Sequence, residues 1–134
     1  MKLNKIIECL EKWAPPSLQE EYDNSGLIIG NSKNEINGIL VSLDCTEEVI
    51  NEAIKKKCNL IISHHPLIFS PIKKITGSNY VERSIIKAIK NSISIYSIHT
   101  NLDNIISGVN YKISNKIGLK NIKILNKKSN VLSK

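Results

Sequence analysis

The sequence predicts an α/β fold: one domain built on a mostly parallel or mixed sheet with helices flanking it. Three observations point that way. Short apolar runs at 38–43, 59–63 and 93–98 have the length and β-branched content of strands. Between them lie 46–57 and 80–90, where apolar residues recur every three or four positions, the period of an amphipathic helix. Strand, helix, strand, helix, strand in this order is the pattern of parallel neighbours joined by right-handed crossovers.

The elements follow in order. Leu3, Ile6, Ile7, Leu10 and Trp13 fall at helical spacing, and Ala14-Pro15-Pro16 ends that helix. Asp23-Asn24-Ser25-Gly26 reads as a turn leading into the apolar run Leu27-Ile28-Ile29-Gly30. The strand 38–43 ends at Asp44, which together with Thr46 is a candidate N-cap for the next helix, with capping the favoured role for Asp44. Glu47 and Glu48 complement the positive end of that helix and Lys55, Lys56 and Lys57 its negative end, while Val49, Ile50, Ala53 and Ile54 form its apolar stripe. The run 59–63 is apolar without alternation, as for a strand buried on both faces. A long loop, 64–79, precedes the helix at 80–90, whose Val81, Ile85, Ile86 and Ile89 are expected to face inward. After the strand 93–98, a loop through Gly108 leads to a helix carrying Val109, Ile113 and Ile117, stopped by Gly118, and a last strand is expected over 119–125.

Composition bounds the function. A chain of 134 residues, 41% hydrophobic and 23% charged, suits one soluble domain with its own core. Aromatics make up only 4%, so aliphatic side chains must fill that core. Cys9, Cys45 and Cys58 are odd in number and lack C-x-x-C spacing, which favours reduced, buried thiols over disulfides or a structural zinc site. Glu8, Glu11 and Lys12 interrupt the N-terminal apolar positions, so neither a signal peptide nor a membrane span is expected, and the expected location is cytoplasmic. The net charge of +7 is uneven: Asp103 is the last acid, and seven lysines follow it, five of them (Lys120, Lys123, Lys127, Lys128 and Lys134) in the basic stretch 119–134. A solvated terminus is the plainer reading of that stretch, with nucleic-acid binding a weaker one because no aromatic follows Tyr111.

The chemistry-bearing residues gather at strand ends. The chain has three histidines; His64 and His65 directly follow one predicted strand, and His99 directly follows the next, with Asp103 four residues on. Ligands of open parallel sheets bind beyond the carboxyl ends of strands, where adjacent loops converge. If the two strands are neighbours, the three histidines and Asp103 share one rim with Asp44. Imidazole with carboxylate suits zinc, iron, manganese or cobalt. Such an ion lowers the pKa of its water from about 15.7 to about 7, equivalent to about 12 kcal/mol. General-base action by a side chain contributes only about 3–5 kcal/mol, so a metal is the more capable use of this rim. Plainer roles stay open: a solvated His64-His65 pair, a buried and satisfied His99, a turn-bracing Asp103, an ordinary turn at 23–26. No G-x-G-x-x-G, Walker loop or G-x-S-x-G occurs, and no histidine adjoins Cys45 or Cys58 in sequence.

Trp13-Ala14-Pro15, Asp23-Asn24-Ser25-Gly26-Leu27, Leu43-Asp44, Ser63-His64-His65-Pro66-Leu67-Ile68-Phe69 and His99-Thr100-Asn101-Leu102-Asp103 occur in this order. In that set the chain resembles the dinuclear-metal family of GTP cyclohydrolase 1 type 2 homologs. The resemblance implies one lobe of a two-lobed α/β fold, a site for up to two divalent ions, assembly as a homo-oligomer (a hexameric ring) and hydrolysis of a small molecule using metal-bound water. By position it implies His64, His65 and Asp103 as metal ligands and His99 as a catalytic candidate close to the metal. A metal-binding assembly or regulatory module without catalysis is the alternative. Two departures stand out: Tyr22 replaces a frequent Trp, and the family's later His and Glu ligands have no counterpart after His99 and Asp103. Residues 1–134 are thus expected to correspond to the N-terminal half of a longer protein, with an apolar surface exposed where a second lobe would sit.

Overall fold

The computed structural model describes residues 1–124. In chain order the elements are α1 (Leu3–Trp13), a 3-10 turn (Pro16–Leu18), β1 (Gly26–Ile29), β2 (Ile39–Ser42), α2 (Glu47–Lys55), β3 (Leu60–Ser63), α3 (Tyr80–Lys90), β4 (Ser94–Ser97), α4 (Thr100–Asp103) and α5 (Val109–Lys116). The four strands form one mixed sheet in the order β1-β4-β3-β2. β2, β3 and β4 run parallel, joined through α2 and α3 as the alternation requires, and β1 closes the other edge antiparallel to β4.

Two apolar layers cover the sheet. Ile61 and Ile95 point to one side and pack with Ile50 and Ala53 of α2 and Ile85 and Ala88 of α3. Leu60, Ile62 and Tyr96 point to the other and pack with Leu3 of α1, Ala14 and Leu102. β3 and β4 lie between the layers and are buried along their whole length, so alternate residues feed opposite cores. Aliphatic side chains supply nearly all of this core, as the scarcity of aromatics demands. Gly30 turns the chain out of β1 at φ +127, where a Cβ would collide with Ser94.

Several local expectations change. Thr46, not Asp44, caps α2, its hydroxyl accepting from the Val49 N–H at 3.4 Å. Ile89 is exposed, because the buried stripe of α3 runs through Glu82, Ile85 and Ala88 and leaves position 89 on the outer face. Ile54 of α2 and Trp13 of α1 are also exposed. The stretch before Gly108 contains the one-turn helix α4. No strand forms over 119–124: Asn121 sits at φ 55, and Leu119, Ile122 and Ile124 are exposed. Leu125 and the rest of the basic stretch lie outside the described residues. Cys9 is exposed, while Cys45 is buried and Cys58 half-buried, all three as free thiols.

Candidate metal centre

β2, β3 and β4 end level with one another, on the row Ser42, Ser63 and Ser97. Serine is small, so this row forms a low polar floor. The Ser63 and Ser97 hydroxyls stand 3.3 Å apart, and the Ser63 hydroxyl donates to the His65 carbonyl at 2.9 Å. Immediately beyond, the N–H groups of His64 and His65 donate to the Ser42 and Leu43 carbonyls at 3.2 and 2.9 Å. The alternation expected within a strand no longer governs the two histidines here, and their ring centroids lie 5.0 Å apart. His99 leaves β4 beside them, with its ring 5.2 Å from that of His64 and 5.5 Å from that of His65.

The hydrogen bonds of these rings decide what they can offer. The Nδ1–H of His64 donates to the Ile98 carbonyl at 2.9 Å, that of His65 to Asp44 Oδ1 at 2.7 Å, and that of His99 to Asp23 Oδ1 at 2.8 Å. A carbonyl or an ionised carboxylate can only accept, so each Nδ1 carries the hydrogen and each neutral ring keeps its lone pair on Nε2. A partner of this kind fixes both tautomer and orientation of a metal-binding imidazole. One donor atom from each histidine can be chosen so that all three lie within 4.8 Å of one another. Two nitrogens about 2.1 Å from a common ion stand at most about 4.2 Å apart, so small side-chain adjustments bring the three to one centre. Asp103 Oδ2 lies 3.8 Å from His64 Nε2, on the margin of the same space. Neutral nitrogen donors beside a carboxylate fit a borderline divalent cation.

Asp23 and Asp44 enter from other parts of the chain. Asp23, expected in an ordinary turn, has a fully covered side chain. Burial alone would raise its pKa, but hydrogen bonds from the Thr100 hydroxyl, His99, Ser25 and the Thr100 N–H outweigh this and hold it at about 2. It is therefore anionic whenever His99 needs an acceptor. Asp44 takes up His65 in place of the helix end. Neither role follows from residue spacing, which places Asp44 on the rim but does not pair it with His65, and which reads Asp-Asn-Ser-Gly as a turn. Cys45, next to Asp44, takes no part: it lies in the core, and burial pushes its thiol up to about 12.

The loops around the site are stitched together. The Asn101 amide donates to the Ala14 carbonyl at 2.8 Å, and Asn104 donates to the Leu18 carbonyl at 2.9 Å, tying the segment after His99 to the chain after α1. Asn24 donates to the Ile68 carbonyl at 2.6 Å and joins the Asp23 turn to the loop after His65. An α/β domain with a cluster of oriented histidines beyond its parallel strand ends defines the class of this protein.

The particular family follows from comparison with known proteins. Residues 1–133 match the family model described as Duf34/NIF3 (NGG1p interacting factor 3), and the chain belongs to that family. A GTP cyclohydrolase 1 type 2 homolog of Clostridium acetobutylicum is 42% identical over 127 residues, 95% of this chain and 47% of that protein. Its counterpart in Staphylococcus epidermidis is 46% identical over 130 residues, covering 96% and 35%. The crystal structure of Staphylococcus aureus protein SA1388 superimposes with a TM-score of 0.90 at 44% identity, over 96% of this chain and 36% of that one. That of a Bacillus cereus protein related to NIF3 gives 0.91 at 41% identity, over 96% and 35%. The chain thus spans between about a third and a half of the length of these relatives.

Proposed function

We propose that this chain holds a divalent metal ion through Nε2 of His64 and His65 and the carboxylate of Asp103, with His99 facing the substrate, and that the site serves a metal-dependent hydrolase. The observation that carries this reading is the commitment of all three Nδ1 atoms to acceptors, which leaves the lone pair of each ring on Nε2, in three rings whose centroids lie 5.0, 5.2 and 5.5 Å apart. An ion held there supplies Lewis acidity and makes water a usable nucleophile at neutral pH. The chain's own residues do the rest. His64 and His65 are held in register by the β2–β3 ladder, so the donor atoms need little reorganisation. His99 can take a proton at Nε2 while Asp23 stabilises the resulting imidazolium through Nδ1–H. Zinc, iron, manganese and cobalt all suit these donors, and up to two ions fit the family's complete site.

The name shared by the relatives suggests GTP as substrate, although the sequence has no phosphate-binding loop. The test is to load the protein with each of the four metals and supply GTP and simple phosphoesters. Hydrolysis that collapses at least 100-fold in His65→Ala supports the proposal, and no turnover with any metal removes the hydrolase reading. A second reading is a metal-binding assembly or regulatory module without catalysis. Metal retention without turnover would select it. A homo-oligomeric ring and a cytoplasmic location belong to the same proposal. Among the described residues no helix is long and apolar enough to cross a membrane.

A further inference from the structure

Two aromatic rings stand beside the histidines and take no part in the core. Tyr22 is 67% exposed and Phe69 50% exposed, in a chain with one Phe, one Trp and four Tyr in all. Their centroids are 6.3 Å apart at an interplanar angle of 61°, and the Phe69 ring lies 6.3 Å from that of His99 at 84°. Tyr22, Phe69 and His99 therefore form a continuous series of rings from solvent into the site. Neither loop that carries them is loose. Phe69 lies two residues after the buried Leu67, Tyr22 precedes the covered Asp23, and the bond from Asn24 to the Ile68 carbonyl joins the two loops.

We infer that Tyr22 and Phe69 form the binding face for a planar heteroaromatic ring, placing a substituent of that ring at the three histidines. An inclined aromatic pair presents the face of one ring and the edge of the other, a corner that complements a flat ligand stacked on one and edge-on to its neighbour. Stacking of this kind tolerates many rings, because every heterocycle has a π-face. Loops already tied to one another lose little freedom when the ligand arrives. An aliphatic or sugar ligand would gain contact area from the same side chains but no advantage from their inclination. The inference deepens the proposed function and rests on it for the reaction; the binding face itself can be tested without the metal.

The probes are guanosine and nicotinamide, each matched to a non-planar partner, ribose and cyclohexanecarboxamide. Proton NMR on the metal-free and metal-loaded protein reads ring-current shifts of the probes during titration. Upfield shifts for at least one planar probe, absent from its partner, are expected. Affinity should fall about 10-fold in Tyr22→Leu with Phe69→Leu, and Tyr22→Phe should restore most of it. Tyr22→Leu alone serves if the double variant fails to fold, and should lose part of the affinity. Binding by neither planar probe, equal binding by the non-planar partners, or undiminished binding by Tyr22→Leu overturns the inference. Metal affinity is measured separately: its persistence without ring binding sinks this inference alone, and ring binding without metal affinity sinks only the metal reading.

Discussion

Asp44 shows how one side chain's choice of partner changes the chemistry of a site. Its place after a strand and before a helix fits an N-cap equally well, and residue spacing cannot separate the two roles. In the fold the Thr46 hydroxyl takes the cap, and the carboxylate turns to His65 Nδ1. Removing it should release the tautomer and orientation of His65 while leaving the core untouched. Asp44→Ala is therefore expected to weaken metal binding about 10–100-fold. Its unfolding free energy should stay within about 0.5 kcal/mol of the parent, since the side chain is 59% exposed. Calorimetric metal titration and urea denaturation check both halves. The gathering of His64, His65 and His99 at one rim was legible in the sequence because they follow neighbouring parallel strands closely. The pairings of Asp23 with His99 and of Asp44 with His65 were not, because they span 76 and 21 residues and nothing local specifies them.

Among the elements, α3 does more than cover the sheet. Its first turn fastens the long loop that begins at His64. Asn79 caps the helix, accepting from the Glu82 N–H at 2.9 Å, and its amide donates back to the Glu82 carboxylate at 2.8 Å. The same carboxylate accepts from the N–H groups and hydroxyls of Thr76 and Ser78. The Thr76 N–H and hydroxyl and the Ser78 N–H hold its pKa at about 2, against an ordinary 4.5. As pH falls through this interval the unfolded chain takes up the proton first, so this contribution is complete above about 4.5 and is lost towards 2. The urea midpoint should drop between pH 5 and pH 2.5, and Glu82→Gln should lower it at pH 7 and flatten the decline. An equally steep decline in the variant would assign the acid sensitivity elsewhere.

The same scale shows what periodicity can and cannot reveal. α1, α2 and α3 were legible because each buries a patterned face, and the three parallel strands because they are short apolar runs between those helices. The short α4 was hidden, since one turn is too brief for a period. The strand expected over 119–125 was suggested by apolar residues alone, and over 119–124 those residues pair with no strand and stay exposed.

For the whole molecule, the uncovered surface is the main unresolved use of apolar area. α1 shields β1, β4 and β3 on its side of the sheet but leaves Ile39, Val41 and Leu43 of the β2 edge exposed, with Val41 at 74%. Ile113 and Ile117 of α5 are exposed as well. Apolar edge residues at alternate positions favour association. Light scattering should detect self-association that rises with concentration, and Val41→Lys should reduce it; a monomer at every concentration would contradict this expectation.

The most direct measurement is a calorimetric titration of metal-free protein with zinc and manganese, repeated on His64→Ala, His65→Ala and Asp103→Ala. Saturable binding that each substitution weakens at least 10-fold, with the variants still folded, is the predicted result. Affinity that survives all three substitutions, or no saturable binding by the parent, would contradict a metal centre at these strand ends.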